Sequence, residues 1–259
     1  MSPQAKMGTM QLSIVMPAHN EAAHIEQCVS EWLAAVVSQL PDAELVIVDD
    51  CSTDGTGGRL ETLALRTPQL RVVRTPVNMG HGPAVRLGLD GSRGEFVFQT
   101  DSDRQHSPHD FWALWQQREH ADFVFGVREH RADGLVRLLI SRSMRVANFI
   151  LWGHWIADAN CPFKLMRRAP LRQVLEYVPS KAFIPMVMVS ILARRFGFRV
   201  REVRVRHFPR TAGQQSLAGL LKWISVGRKC LRELFALRAS IRRVERPELG
   251  HRPNRAKID

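Results

Sequence analysis

Three short apolar runs in the first hundred residues each end in polar side chains, and this repetition constrains the fold of the 259-residue chain more than any other feature. Leu12 to Met16 is stopped by Pro17 and followed by Ala18-His19-Asn20-Glu21. Leu45 to Val48 ends in Asp49-Asp50, and Phe96 to Phe98 leads through Gln99-Thr100 to Asp101-Ser102-Asp103. Runs of this length without internal Gly suit buried strands. Between them lie segments with helical spacing. Ile25, Val29, Trp32, Leu33, Val36 and Leu40 precede a break at Pro41-Asp42, and Leu60 and Leu63 precede a third strand around Val72-Val73. A third helix opens near Pro83, where a missing N–H matters little. Strand alternating with helix predicts an α/β fold with a mostly parallel sheet flanked by helices. In such open sheets ligands bind beyond the carboxyl ends of the strands, and all three polar clusters fall there. Asn20 is expected to cap the helix that follows it.

The third cluster suggests the chemistry. In extended backbone, side chains at i and i+2 leave the same face, so Asp101 and Asp103 are expected to converge. If the chain stays extended, Gln105 adds an amide oxygen at the same place. Two adjacent carboxylates repel unless a cation joins them. A hard divalent ion, Mg2+ or Mn2+, takes oxygen ligands of this kind and holds phosphates as well.

The chain carries 37 Lys and Arg against 25 Asp and Glu, a net charge of +12. That excess points to an anionic partner: a nucleotide, a phosphate, nucleic acid or an acidic membrane surface. Nucleic acid fits poorly, because the arginines are not interleaved with aromatics and no recognised nucleic-acid motif is present. Nucleotidyl transfer also fits poorly, since the loop after the first strand has neither the glycines nor the lysine of a phosphate cradle. Cys28, Cys51, Cys161 and Cys230 are far apart and lack zinc-ligand spacing, as expected of reduced intracellular thiols. Met1 to Met10 holds no apolar run of secretory length, so a cytoplasmic protein is expected. Leu135 to Ala157 contains Arg137, Arg142 and Arg145, and Phe183 to Ala193 is too short to cross a bilayer.

Four segments in order resemble the family 2 glycosyltransferases of GT-A fold, and within them the dolichol-phosphate mannose synthase and polyprenyl-phosphate sugar transferase branch. They are Ile14 to Glu21, Val46 to Thr56, Asn78-Met79-Gly80-His81-Gly82 and Asp101 to His106. The resemblance implies an inverting transferase that uses a GDP- or UDP-linked sugar donor. Pro17, Ala18, Asn20, Glu21, Asp49 and Asp50 would hold the base and ribose. Gly80 and Gly82 would let backbone approach the nucleotide. Asp101 and Ser102 would line the same donor pocket, and Asp101, Asp103 and Gln105 would hold Mg2+ or Mn2+ on the diphosphate. Asn20 and Asp54 also suit plain turn chemistry.

The later half is expected to carry the acceptor. Gly126-Val127-Arg128 resembles the family's Gly-x-Arg, with Arg128 on a phosphate and Arg142 a weaker second candidate. Asp158 to Arg168 keeps the branch's Asp and its Phe-basic-Leu but has Pro162 in place of Gly. His207 to Ser216 resembles a late Arg-x-x-Gly-x-Ser-Lys segment, with an extra Gln and with Leu217 for the Lys, and Arg210 would bind phosphate. A lipid phosphate is already an anion and needs no general base. A hydroxyl acceptor would need one, and Asp158 is the candidate.

The expected organisation is an extension over 1–10 and a catalytic domain over 11–216, divided at 127/128 into donor and acceptor halves. A basic amphipathic helix over 217–246 and a disordered polar tail over 247–259 follow. On that helix Leu217, Leu220, Leu221, Ile224, Leu231, Leu234 and Phe235 form a stripe flanked by basic residues, suited either to an anionic membrane or to the catalytic domain.

Overall fold

The computed structural model describes residues 10–129, 146, 149–209 and 220–245. Its first half follows the expected alternation: β1 Leu12–Ala18, α1 Ile25–Ala35, β2 Ala43–Asp49, α2 Thr56–Ala64, β3 Leu70–Arg74, α3 His81–Asp90 and β4 Phe96–Gln99. A short α4 Phe111–Trp115 precedes β5 Phe123–Arg128 and β6 Lys164–Arg167. Then come α5 Arg168–Leu175, α6 Pro185–Arg195, β7 Val200–Val205 and α7 Leu220–Glu245.

The seven strands form one sheet in the order β3-β2-β1-β4-β6-β5-β7. β1 is parallel to β2 and β4, β2 to β3, and β5 to β7, while β6 runs antiparallel between β4 and β5. Alternation along each strand divides the core into two layers. Ile14, Met16, Ile47, Phe98 and Leu165 face a layer with Trp32 of α1, where Phe98 and Phe163 meet edge to face at 4.7 Å. Val15, Val46, Val97 and Met166 face the opposite layer with Val85 of α3 and residues of α5, α6 and α7. β6 is a strand because Leu165 and Met166 serve one layer each.

Two local expectations change. Val36, at φ −130°, ends α1, and a 3-10 turn over Val37–Gln39 follows, so the helix stops before Leu40. Its N-cap is His24 without a side-chain bond, and Asn20, at φ 54°, does not cap it.

α7 docks on the second core layer of the sheet. Cys230, Leu234, Leu237 and Ile241 are buried, and the last three join the second core layer. The Glu233 carboxylate accepts from the N–H groups of Phe183 and Ile184 at the start of α6, at 2.8 to 3.2 Å. Arg228, Leu231, Arg232 and Phe235 face outward. Among the described residues, no helix is long and apolar enough to cross a membrane.

Candidate active site

Register brings the polar clusters to one edge. Ala18 of β1 pairs with Asp49 of β2, and Val15 with Gln99 of β4. The chain runs outward through β2 and β3, then returns to place β4 on the other side of β1. A crevice at that reversal is where α/β sheets bind ligands.

Asp50 is 2% exposed, and its carboxylate accepts from the N–H groups of Met79 at 2.8 Å and Gly80 at 2.7 Å and from the Thr75 hydroxyl at 3.1 Å. It therefore anchors the glycine turn. Gly80, at φ 89°, holds a backbone conformation that other residues rarely adopt. Asp49 turns away from this turn: one oxygen accepts from Ser52 N–H, and the other lies 3.3 Å from Arg74 Nε.

The first loop is tied to the turn after β2. Asn20 N–H donates to Ser52 Oγ, and its Oδ1 accepts from Thr53 N–H. Glu21 is 8% exposed, with its N–H on Thr56 Oγ1. Pro17 and Ala18 close β1, where the Ala18 carbonyl accepts from Asp50 N–H. Asp54 does turn chemistry. Burial works against its charged form, but the Thr56 hydroxyl and the N–H groups of Ala22 and Thr56 hold the carboxyl below its usual range. His19 joins three segments. Its Nδ1 donates to the Asp50 carbonyl, so Nε2 must accept, and the side-chain amides of Asn20 and Asn78 meet it at 3.2 and 3.1 Å.

Asp101 and Asp103 stand beyond β4, and both act on one imidazole. His81 Nε2 lies 3.1 Å from Asp101 Oδ1, which also accepts from Gln99 Nε2. Loss of water opposes the imidazolium, yet Asp101 first, then Asp103 and Asp50, raise the proton affinity of His81. Desolvation likewise opposes the charge on Asp101, and His81 outweighs it to keep that carboxyl low. Asp101 is thus in contact with His81, Asp103 and Asp50 act on the same ring through their charge, and Ser102, between Asp101 and Asp103 in the chain, is buried.

Gln105 departs from expectation. Arg104 takes a left-handed conformation at φ 58° with its guanidinium on Glu31, and Asp103 Oδ1 accepts from Gln105 N–H. The chain is therefore not extended after Asp103, and Gln105 Nε2 donates to the Phe208 carbonyl. A cavity of about 820 Å³ opens beside this loop, lined by Glu31, Ala34, Arg104, His106 and Phe208. None of the three carboxylates lines it.

Across the sheet, Arg128 at the tip of β5 grips Asp158 with Nε on Oδ2 at 2.7 Å and Nη2 on Oδ1 at 2.9 Å. Gly126 is required behind it, because a Cβ there would lie 2.8 Å from the Phe163 carbonyl. Gly82 has a reason within the fold: its Cβ would fall 2.2 Å from the Ala182 carbonyl. Arg142 and Arg210 lie outside the described residues. His19, His81 and Lys164 escaped notice as site residues. His19 and His81 sit inside quoted motifs, and only contacts between distant segments, His19 on the Asp50 carbonyl and His81 on the Asp101 carboxylate, single them out.

Two carboxylates with open surroundings fit a hard divalent cation that takes its remaining ligands from phosphate and water. Among the described residues, no group of three or more His, Cys, Asp or Glu side chains is placed to hold a metal ion by itself.

The family model described as glycosyl transferase family 2 matches residues 13–175. The chain belongs to that family. An undecaprenyl-phosphate 4-deoxy-4-formamido-L-arabinose transferase of Shewanella sediminis (strain HAW-EB3) is 31% identical over 206 residues, covering 78% of this chain and 60% of the relative. The chain thus spans less than two thirds of the length of such curated relatives. Two solved structures share the fold. Glucosyl-3-phosphoglycerate synthase from Mycobacterium tuberculosis, with Mn2+, UDP-glucose and phosphoglyceric acid, superposes at a TM-score of 0.64 and 21% identity, over 89% of this chain and 80% of that one. A mannosyltransferase from Pyrobaculum calidifontis, with GDP-mannose and Mn2+, gives 0.63 and 22%, over 91% and 65%. The mostly parallel, helix-flanked sheet is the expected GT-A arrangement.

Proposed function

We propose that this chain transfers a sugar from a UDP- or GDP-linked donor to a polyprenyl phosphate, with inversion at the anomeric carbon. The observation that carries the reading is the placement of Asp50 beyond β2 and of Asp101, 3.1 Å from His81, beyond β4, at the edge where the strand order reverses. Asp101 and Asp103 would hold Mg2+ or Mn2+, which when bound offsets diphosphate charge as the donor bond breaks. The first loop and the turn anchored by Asp50 frame the nucleoside side of the crevice. A phosphate oxygen of the acceptor attacks the anomeric carbon, the bond to the diphosphate breaks, and the nucleoside diphosphate leaves. Arg128, whose Nε and Nη2 are held by Asp158, would contribute its charge beside the acceptor phosphate, and Arg210 would supply the paired N–H groups of a guanidinium fork.

Transfer to a hydroxyl with Asp158 as base is the weaker reading, because both Asp158 oxygens already accept from Arg128. Peripheral contact with an anionic membrane follows from the lipid acceptor. The +12 charge, the outward Arg228, Leu231, Arg232 and Phe235 of α7, and exposed Phe149, Ile150 and Trp155 support it.

The test is a thermal-shift screen of UDP- and GDP-sugars with Mn2+, followed by transfer to undecaprenyl phosphate and to a panel of saccharide acceptors. Transfer to the lipid phosphate, with Asp158→Asn keeping turnover within about tenfold, is the expected result. Transfer only to hydroxyls, abolished by Asp158→Asn, would replace it with the alternative.

A further inference from the structure

The three residues Ala157, Asp158 and Ala159 are each held by a charged side chain from a different strand. Asp158 is gripped by Arg128 of β5. The Ala159 carbonyl accepts from Lys164 Nζ of β6 at 2.9 Å, and Ala157 N–H reaches Glu202 Oε1 of β7 at 3.4 Å. Glu202 is in turn paired with Arg194 of α6. These strands are neighbours, in the order β6-β5-β7.

Lys164 is the unusual member. It is fully buried in a strand inside the sheet, with its ammonium 4.9 Å from the centre of the Phe125 ring. A buried ammonium is expensive, and a Met of similar volume would pack there without the desolvation penalty. Burial accordingly pushes the Lys164 ammonium down to about 8. The fold does not need a cation at this place; the carbonyl of Ala159 does use one.

We propose that Lys164 is a positioning residue for the acceptor: its bond to the Ala159 carbonyl fixes Ala157 to Ala159, and so fixes the direction in which Asp158 holds the Arg128 guanidinium. The proposal rests on the reading that the acceptor phosphate binds beside Arg128. Displacement of a binding group by about 1 Å lowers rates by about a hundredfold when reacting atoms must align, and outer partners of a site commonly matter by 10- to 100-fold.

The test uses the full chain with Mn2+, the preferred nucleotide-sugar and undecaprenyl phosphate. Lys164→Met is expected to fold, to bind nucleoside diphosphate with Mn2+ within about twofold of wild type, and to raise the acceptor KM by about tenfold or more. Lys164→Arg, which keeps a donor for the carbonyl, is expected to recover part of that loss. In an Arg128→Ala background Lys164→Met should add little, because its effect passes through the guanidinium. Equal losses for donor and acceptor, an unchanged acceptor KM, or full additivity with Arg128→Ala would each overturn the proposal. A wild-type protein that transfers sugar but never to a prenyl phosphate sinks the underlying reading of the acceptor instead, and the wild-type control shows which has failed.

Discussion

Arg128 and Asp158, thirty residues apart in the chain, form a bidentate ion pair in which each side chain is 6% exposed. Removing one partner of a buried pair strands the other, which commonly costs 3–5 kcal/mol. Asp158→Ala is therefore expected to lower unfolding free energy by about 3 kcal/mol or more in urea titration. Asp158→Asn keeps one acceptor oxygen and should lose less. A loss below about 1 kcal/mol for the alanine variant would mean that the pair is exchanging freely with water.

Asp50 organises the donor side by a different route. Its two oxygens take the N–H groups of Met79 and Gly80 and the hydroxyl of Thr75. Asp50→Ala leaves the Met79 N–H to find another partner, at roughly 1–3 kcal/mol if it stays buried and unmet, while the Gly80 N–H keeps Asn78 Oδ1 and the Thr75 hydroxyl keeps the Val77 carbonyl. The expected outcome is a loss of about 1–3 kcal/mol, with faster hydrogen exchange concentrated at residues 78–81. Exchange that rises evenly over the whole chain would show that Asp50 supports the fold and has no special hold on the turn.

The first half of the sheet is legible because each strand is an apolar run that ends in polar residues, and because β-α alternation favours parallel strands with covering helices. The same pattern places Asp50 beyond β2 and Asp101 and Asp103 beyond β4 at one edge of the sheet. What stayed hidden depends on contacts between distant segments. β6 is four residues long and begins with a buried lysine, so no apolar periodicity marks it. The pairing of Asp158 with Arg128 spans a stretch in which arginines are frequent, and nothing local selects Arg128. Gln105 was misplaced because an i+2 argument holds only in extended backbone, and the Asp103 side chain captures Gln105 N–H and bends the chain. Asn20 looked like a helix cap by type, but the neighbouring turn offered Ser52 and Thr53 as partners first.

Gly82 connects the turn anchored by Asp50 to the segment before α6 through contact alone. A methyl group there would sit 2.2 Å from the Ala182 carbonyl and 2.7 Å from that of Phe183, so backbone has to move. Gly82→Ala is expected to lower stability by about 2 kcal/mol, in the range of overpacked sites. It should also weaken Mn2+-dependent nucleotide binding, since His81 and Gly80 precede it directly. Calorimetric titration with UDP and GDP reads the second effect, and unaltered affinity together with lost stability would confine Gly82 to packing.

His81 lies 3.1 Å from Asp101 Oδ1, and Asp103 and Asp50 act on its ring through their charge. His81→Ala removes the group on Asp101 Oδ1 and leaves Asp101, Asp103 and Asp50 without that counter-charge. The variant is expected to melt lower than wild type in chelator and to gain more from added Mn2+, because the ion then relieves a repulsion that His81 no longer softens. Comparison of the two melting shifts in Mn2+ and in EDTA decides the matter; equal shifts would count against the arrangement.

Lys164 gives the chain a pH signature outside the crevice. Its ammonium is pushed down from 10.5 to about 8 by burial, with nearby Arg128 and Arg194 adding to the effect and Cys161 and Asp158 opposing it. Below about pH 8 both folded and unfolded chains carry the proton, and the folded state bears the full penalty. Between pH 8 and 10.5 the unfolded chain binds more protons than the folded one, so stability rises with pH. Above 10.5 the penalty is gone. The interval corresponds to about 3 kcal/mol. Lys164→Met has no such proton, so wild type should gain on the variant by an amount of that order between pH 7.5 and 10.5. Urea titrations of both proteins at several pH values isolate the difference from other titrating groups. A gap between the two that does not change with pH would mean that water reaches the ammonium in the native state, and that the grip on the Ala159 carbonyl is looser than its 2.9 Å contact implies.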